Sequence, residues 1–460
     1  MRLALLVLLV LLALSLHAQT PLSLAAADGD AAEVGKLLHS GADPNAPNPD
    51  GATPLMLAAG SGSVDAVRSL LDNKAVIDAR ESHGQTALMF AAGANRAEVI
   101  RLLTERGADT SLTSNVVSLT RPQVDEDGNP IAAGRGGTGR GGGAGRGGAG
   151  GGAGGQARGT TATVTGGMTA LLLATRNGHR EAVRALVEAG ASVNQVSAGD
   201  KSSPLVIAIC NGHYDLALYL LEQNADPNLA TIDGLAALYA VEDTEYAQVG
   251  WAPNPITAQE RTGYLELTKA LLAHHADPNA KLLKSLWFRP TSHNQEWVDK
   301  KGATPFWRGA MATDVAAMKL LIAGGADPKI SSDEGVTPLM VAAGLGWGAN
   351  ASRTVPDGWL PAVRYLVEEL HADVNAQDRY QYTALHGAAY RGDNDVVKYL
   401  AAKGAKLDVR SKKGQTLADM ANGPMVNAHL PIEHPDTIAL LEKLGAPGPE
   451  VPVAAAPKGK

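Results

Sequence analysis

The sequence specifies an all-α repeat solenoid, a curved stack of short helical units, and three observations carry that reading. A seven-residue phrase returns every 33 residues along the first hundred positions. A second phrase follows the first at an offset of 21 residues in most units. Apolar residues make up 45% of the chain while aromatics reach only 4%, so Ala and Leu must do most of the packing. That suits thin helices stacked closely and suits a β-sandwich poorly.

Thr20-Pro21-Leu22-Ser23-Leu24-Ala25-Ala26 returns as Thr53-Pro54-Leu55-Met56-Leu57-Ala58-Ala59 and again as Thr86-Ala87-Leu88-Met89-Phe90-Ala91-Ala92. Equivalent starts follow at Thr169, Ser203, Ala236, Thr304, Thr337, Thr383 and Thr416, which makes ten units, the last one degenerate. The second phrase, Gly41-Ala42-Asp43-Pro44-Asn45, recurs in forms such as Asn224-Ala225-Asp226-Pro227-Asn228 and His275-Ala276-Asp277-Pro278-Asn279. A period in this range is the signature of stacked repeats.

Each part of the unit has a physical task. Thr53 is placed to cap a helix start, and Pro54 follows where its missing N–H costs nothing. Leu55, Ala58 and Ala59 make an apolar stripe, with Ala where two helices approach closely. Gly60-Ser61-Gly62 breaks this first helix. Val64 to Leu71 forms the second, with Val67, Leu70 and Leu71 inward. A Gly, Asn or His then ends it in a left-handed conformation, as at Gly41 or Gly107. The Asp-Pro-Asn phrase starts a turn leading out to the next unit.

These residues resemble the ankyrin repeat: a Thr-Pro-Leu-His start, an Ala-rich first helix, a Gly-His break, a Leu-Leu second helix and a Gly-Ala-Asp-x-Asn hairpin. Asn177-Gly178-His179 with Leu186-Val187-Glu188-Ala189-Gly190-Ala191 matches that pattern, as does Thr383-Ala384-Leu385-His386. The resemblance implies helix-turn-helix units with β-hairpin loops, stacked into a superhelix whose first helices and hairpin tips line a concave, protein-binding face. One departure stands out. The His after Thr-Pro-Leu is kept at His386, whereas Ser23, Met56, Met89, Leu172, Val206, Tyr239, Trp307 and Met340 stand elsewhere. Local stability in those units is expected to lean on apolar packing.

The chain divides accordingly. Residues 1–18 read as a secretory signal peptide: Arg2, then an apolar run from Leu3 to Leu16 broken by Ser15, then a small residue before Gln19. The run is shorter than the roughly 18 residues a spanning helix needs, so no stable membrane span is expected in the mature chain, and an exported, periplasmic or secreted protein is. Units one to three occupy 19–112. A Gly/Arg-rich insertion fills 113–167, with 16 glycines between Gly134 and Gly159, and is expected to be disordered. Units four to ten occupy 168–447, with insertions at about 243–262, 281–301 and 346–359, before a flexible tail at 448–460.

Neither charge nor chemistry suggests an enzyme or a nucleic-acid binder. The net charge is −7 with Lys and Arg dispersed, so no nucleic acid is expected as a partner. Cys210 is the single cysteine and lies in the apolar run Leu205 to Cys210, which reads as a small buried hydrophobe. Asp125 to Asn129 is similar to a calcium loop but lacks a distal Glu. His429, Glu433 and His434 form the one compact His/Glu group, at a spacing that fits no helical metalloprotease motif. Thus no catalytic residue, metal or cofactor is expected, and the repeat itself contributes no catalytic group.

The expected function is therefore a non-catalytic, monomeric scaffold or adaptor outside the cytoplasm that binds a protein partner. All six tryptophans, Trp251, Trp287, Trp297, Trp307, Trp347 and Trp359, lie in units six to eight, five of them in or beside insertions. Trp is the residue most enriched at interface hot spots, so these six and Phe288 are the candidate contact residues. The alternative is a regulator or inhibitor of an exported enzyme, inserting the long 281–301 hairpin into its cleft.

Overall fold

The computed structural model describes residues 20–119, 123–124, 130–131, 163–247, 255–284, 286, 298–348, 352–423 and 432–450. The described residues hold ten helix pairs, from Pro21–Asp28 with Ala31–His39 to Leu417–Ala421 with Pro435–Leu444. The last unit, degenerate in sequence, is thus a full helix pair. First helices stack on first helices and second on second, each unit touching mainly its neighbours.

The repeat phrases act as their chemistry dictates. Thr20, Thr53, Thr169, Ser203, Thr304, Thr337 and Thr416 each cap a first helix, the hydroxyl accepting from the backbone N–H three residues on. Ala26, Ala58, Ala59, Ala91 and Ala92 are fully or almost fully buried where first helices meet. The second helices end in left-handed residues at Gly41, Lys74, Gly107, Gly190, Asn224, His275, Gly325, His371 and Gly404. Burial along Val64–Asp72 follows the expected stripe through Ala66, Val67 and Leu70, although Leu71 is only half-buried.

The Asn of the hairpin phrase fastens each unit to the next. Asn228 Nδ2 donates to His275 O at 2.9 Å, and its Oδ1 accepts from Asp277 N at 2.7 Å. Asn45, Asn194, Asn279 and Asn375 make the same two bonds one unit along. The slot of the missing His is filled by substitutes. Met56 and Met340 sulfurs accept the N–H of Thr53 and Thr337 at 3.4 Å, and Asp419 Oδ2 accepts from Thr416 N at 2.8 Å.

The large insertion does not interrupt the stack. Units three and four meet directly, with Asn177 Nδ2 donating to Gly93 O and Ala182 N to Asn95 Oδ1. Its two ends differ from the expected disorder over 113–167: Val116–Leu119 pairs antiparallel with Thr163–Gly166. Both segments are rich in β-branched residues, which favour a pleated ladder. The Gly/Arg-rich centre, 132–162, lies outside the described residues.

Unit eight carries a one-residue excess. Leu366 to Ala372 spans one residue more than Leu186 to Ala191 in unit four. The chain absorbs it as a π-turn over Tyr365–Glu369, and Ala372 N bonds to Leu366 O where Ala191 N bonds to Leu186 O. A cleft of about 230 Å³ lies beside the turn, floored by Pro338, Leu339, Leu366 and Leu370.

Candidate partner-binding surface

The fifth residue of each first-helix phrase lies on the face turned away from the second helix, and its surroundings change along the stack. In units one to four this residue is less buried: Leu24 is 47% exposed, and Leu57, Phe90 and Leu173 are half-buried. From unit five on it is covered, with Ile207 at 8%, Ala240 at 0%, Arg308 at 2% and Val341 at 1%. Insertion residues pack on the neighbouring units. Pro255 packs at Gly212, the helix break of unit five, and Val298 packs against Gly346 of unit eight.

The tryptophans divide between core and loops. Trp307 is fully buried and its Nε1 donates to Val336 O at 2.8 Å, so the expectation that it contacts a partner is corrected. Its place in the slot normally held by His points inward, and a large ring there fills the junction with unit eight. Trp359 is half-buried at the start of a second helix, with the Arg391 guanidinium 3.7 Å above its ring. Trp347 is half-buried in the turn after Pro338–Ala342. Trp251, Trp287, Phe288 and Trp297 lie outside the described residues.

A cluster that the sequence reading missed lies between units six and seven. The first helix of unit six, Ala237–Glu245, runs longer than most other first helices and buries Glu242, Asp243 and Thr244. Arg308, on the first helix of unit seven, Pro305–Met311, points at it. Arg308 Nε donates to Asp243 Oδ1 at 3.1 Å and Nη2 to Tyr246 O at 2.6 Å. Asp314 caps the second helix of unit seven through Oδ1, and its Oδ2 accepts from both Tyr246 OH at 2.7 Å and Tyr264 OH at 2.6 Å. Desolvation and these bonds to a carboxylate push both tyrosine pKa values up.

Glu242 is fully buried, and neither carboxylate oxygen has a hydrogen-bond partner among the described residues. Burial, with Asp314 nearby, pushes its pKa up to about 8. A trace of this cluster was present in the sequence. The slot of Glu242 holds Ala26, Ala59, Ala92, Thr175, Ile209, Ala310, Ala343 and Ala389 in other units, and that of Arg308 holds Leu57, Phe90 or Val341. A charge in a slot reserved for close helix packing marks a departure from the repeat.

Other candidates do not converge. Cys210 is half-buried at a helix end rather than deep in the core. His429 lies outside the described residues, Glu433 is exposed, and His434 precedes the helix Pro435–Leu444, packed at Gly392. Among the described residues, no three His, Cys, Asp or Glu side chains are grouped to hold a metal ion, and no helix is long and apolar enough to cross a membrane.

The comparisons agree with this architecture. A family model described as ankyrin repeats matches residues 22–114, 154–231 and 310–411. Alpha-latrocrustotoxin-Lt1a of Latrodectus tredecimguttatus is 26% identical over 223 residues, 48% of this chain and 13% of that protein. Ankyrin repeat and SAM domain-containing protein 6 of Rattus norvegicus is 42% identical over 88 residues, 19% of this chain and 8% of that protein. Neurogenic locus notch homolog protein 1 of Xenopus laevis is 28% identical over 234 residues, 50% of this chain and 8% of that protein. The likeness therefore covers only a small part of each relative's length. Ankyrin repeats generally mediate protein–protein interactions through a fold that is typically non-catalytic. With its ten stacked helix pairs, Ala-packed first helices and Asn-fastened hairpins, the chain belongs to the ankyrin repeat family.

Proposed function

We propose that the protein is a non-catalytic scaffold acting outside the cytoplasm, holding a protein partner against the open face of its first helices. The observation that carries this reading is the row Leu24, Leu57, Phe90 and Leu173, apolar and exposed or partly exposed in units one to four while the same row is buried further on. A rigid, preformed row of this kind lowers the ordering cost of association. Location outside the cytoplasm rests on the apolar leader from Leu3 to Leu16. The tryptophans of units six to eight are the second candidate surface.

The test is quantitative capture of partner protein from extract of the source cells. The wild type is compared with Leu57→Asp/Phe90→Asp and with Trp287→Ala/Trp297→Ala, each checked for unaltered helix content. Loss of a hot spot worth about 2 kcal/mol weakens binding roughly thirty-fold. That loss is expected in the first variant. Undiminished capture by Leu57→Asp/Phe90→Asp would overturn the assignment to this row, and loss in the Trp variant alone would move the surface to the insertions. N-terminal sequencing of the mature protein is expected to begin near Gln19; a start at Met1 would remove the argument for export.

A further inference from the structure

Where the hairpin phrase keeps its Asn, the carboxamide clasps the unit that follows. Asn279 of unit six donates from Nδ2 to Gly325 O at 3.0 Å and accepts at Oδ1 from Asp327 N at 2.8 Å. Unit seven departs from this pattern. Its phrase runs Gly325-Ala326-Asp327-Pro328-Lys329, so a lysine stands in the place of the Asn. The two groups of unit eight that the clasp would hold are His371 O and Asp373 N, and among the described residues neither has a hydrogen-bond partner. An ammonium carries no acceptor, so Lys329 cannot serve Asp373 N. Lys329 N bonds to Asp327 Oδ1 at 2.9 Å, and its side chain has no carboxylate at ion-pairing distance among the described residues.

The π-turn frees a third group at the same spot. In every other unit the left-handed residue after the second helix donates its N–H to the carbonyl three residues back, as Gly190 N does to Val187 O at 2.9 Å. In unit eight the surplus residue draws Leu370 N to Tyr365 O and Ala372 N to Leu366 O, and His371 N is left without an acceptor among the described residues. His371 is exposed, so water meets these groups in the free protein. Beside them lies the cleft of about 230 Å³, with Lys329, His371 and Asp373 at its rim and Pro338, Leu339, Leu366 and Leu370 at its floor. A cavity of about 150 Å³ holds a benzene ring, so this one accepts a side chain the size of Leu or Phe. An apolar pocket bordered by unpaired main-chain groups suits an extended peptide, which needs both.

We propose that the junction of units seven and eight is a docking site for an extended segment of a partner protein that carries Asn or Gln beside a large apolar residue. The apolar side chain fills the cleft over Leu339, Leu366 and Leu370. The carboxamide completes the missing clasp, its NH₂ donating to His371 O and its oxygen accepting from Asp373 N, as Asn279 does one unit earlier. A carboxylate would not serve, because His371 O needs a donor. Lys329 is exposed, and its flexible stem swings aside as the carboxamide enters. Its unpaired charge selects an acidic neighbour in the segment over a basic one. This site goes beyond the reading above: units seven and eight form it alone, whether or not the row Leu24 to Leu173 is occupied.

End-blocked hexapeptides with adjacent Phe, Gln and Glu at the centre, in each order, are titrated into the full-length protein labelled at its Leu methyl groups. Saturable shifts are expected at Leu339, Leu366 and Leu370. Replacing the peptide Gln by Met, or its Glu by Lys, is expected to weaken binding about fivefold or more. Lys329→Asn restores the clasp within the chain, and is expected to raise the urea midpoint while weakening peptide binding about tenfold or more. Lys329→Met removes the charge but leaves the clasp open, and is expected to lose no more than about fivefold. Three results would each overturn the proposal: no saturable shift up to about 5 mM with any order, equal binding by Lys329→Asn and wild type, or shifts confined to Leu57 and Leu173. The last would still uphold the first-helix row, so the two readings fail separately.

Discussion

Arg308→Met is the perturbation that most directly tests the junction of units six and seven. The side chain is 3% exposed and its partner Asp243 8%, so the pair is screened little by solvent. Methionine fills most of the arginine stem but removes the donors to Asp243 Oδ1 and Tyr246 O. Asp243 is then left buried without its cation, which typically costs about 3–5 kcal/mol. The loss is local, because units of a solenoid touch only their neighbours. A cooperative urea transition should therefore separate into two, one for units one to six and one for seven to ten. Adding Asp243→Asn removes the buried charge and is expected to restore most of the loss. Urea denaturation followed by circular dichroism, with tryptophan fluorescence reporting on the later units, measures both. A loss under about 1 kcal/mol, or a double variant no better than the single, would refute the reasoning, since the buried charge is its largest cause.

Three further outcomes follow from the geometry. Asn228→Ala deletes both bonds that fasten unit five to unit six, and at about 1 kcal/mol each for solvent-accessible bonds the stability loss is about 1–2 kcal/mol by denaturant titration. Trp307→Ala empties a fully buried site and strands Val336 O, for a loss of about 3–5 kcal/mol; a loss under 1 kcal/mol in the same assay would contradict its core role. Burial holds the His386 imidazole down to about 4, so the folded form resists a proton that the unfolded chain accepts near 6.5. Stability should then fall as pH drops from about 6.5 to 4, by on the order of 3 kcal/mol, and a pH series of thermal unfolding should show this contribution missing in His386→Met. Methionine already fills that slot in units two, three and eight.

The fold was legible because the repeat writes its constraints in residue types that have few substitutes. A capping Thr, a Pro at the first helical position, Ala where helices touch and a left-handed terminator each exclude most alternatives. The candidate surface was legible only in part. Composition drew attention to tryptophan, yet Trp307 occupies an inward slot, and its surroundings rather than its identity decide its role. The row escaped notice because Leu57 and Ile207 look alike in sequence; only their burial in the stack distinguishes them. Glu242 escaped for a related reason. A glutamate in a helix reads as a solvated side chain, and only comparison with the alanines in the same slot shows it to be enclosed.

The π-turn in unit eight bears on how such a chain can change over generations. A single extra residue in an α-helix displaces everything beyond it by about 1.5 Å and 100°. In a stack held by side chains at fixed offsets, that shift would turn the next hairpin away from its neighbour. Here the surplus is taken up within Tyr365–Glu369, and Asn375 still reaches Gly404 O and Lys406 N. One codon can thus be gained without loss of phase, and the slack appears as the cleft beside Leu370 rather than as a fault in the array. Lineages of such arrays can vary in single-residue steps, each leaving a local hollow that later substitutions are free to shape.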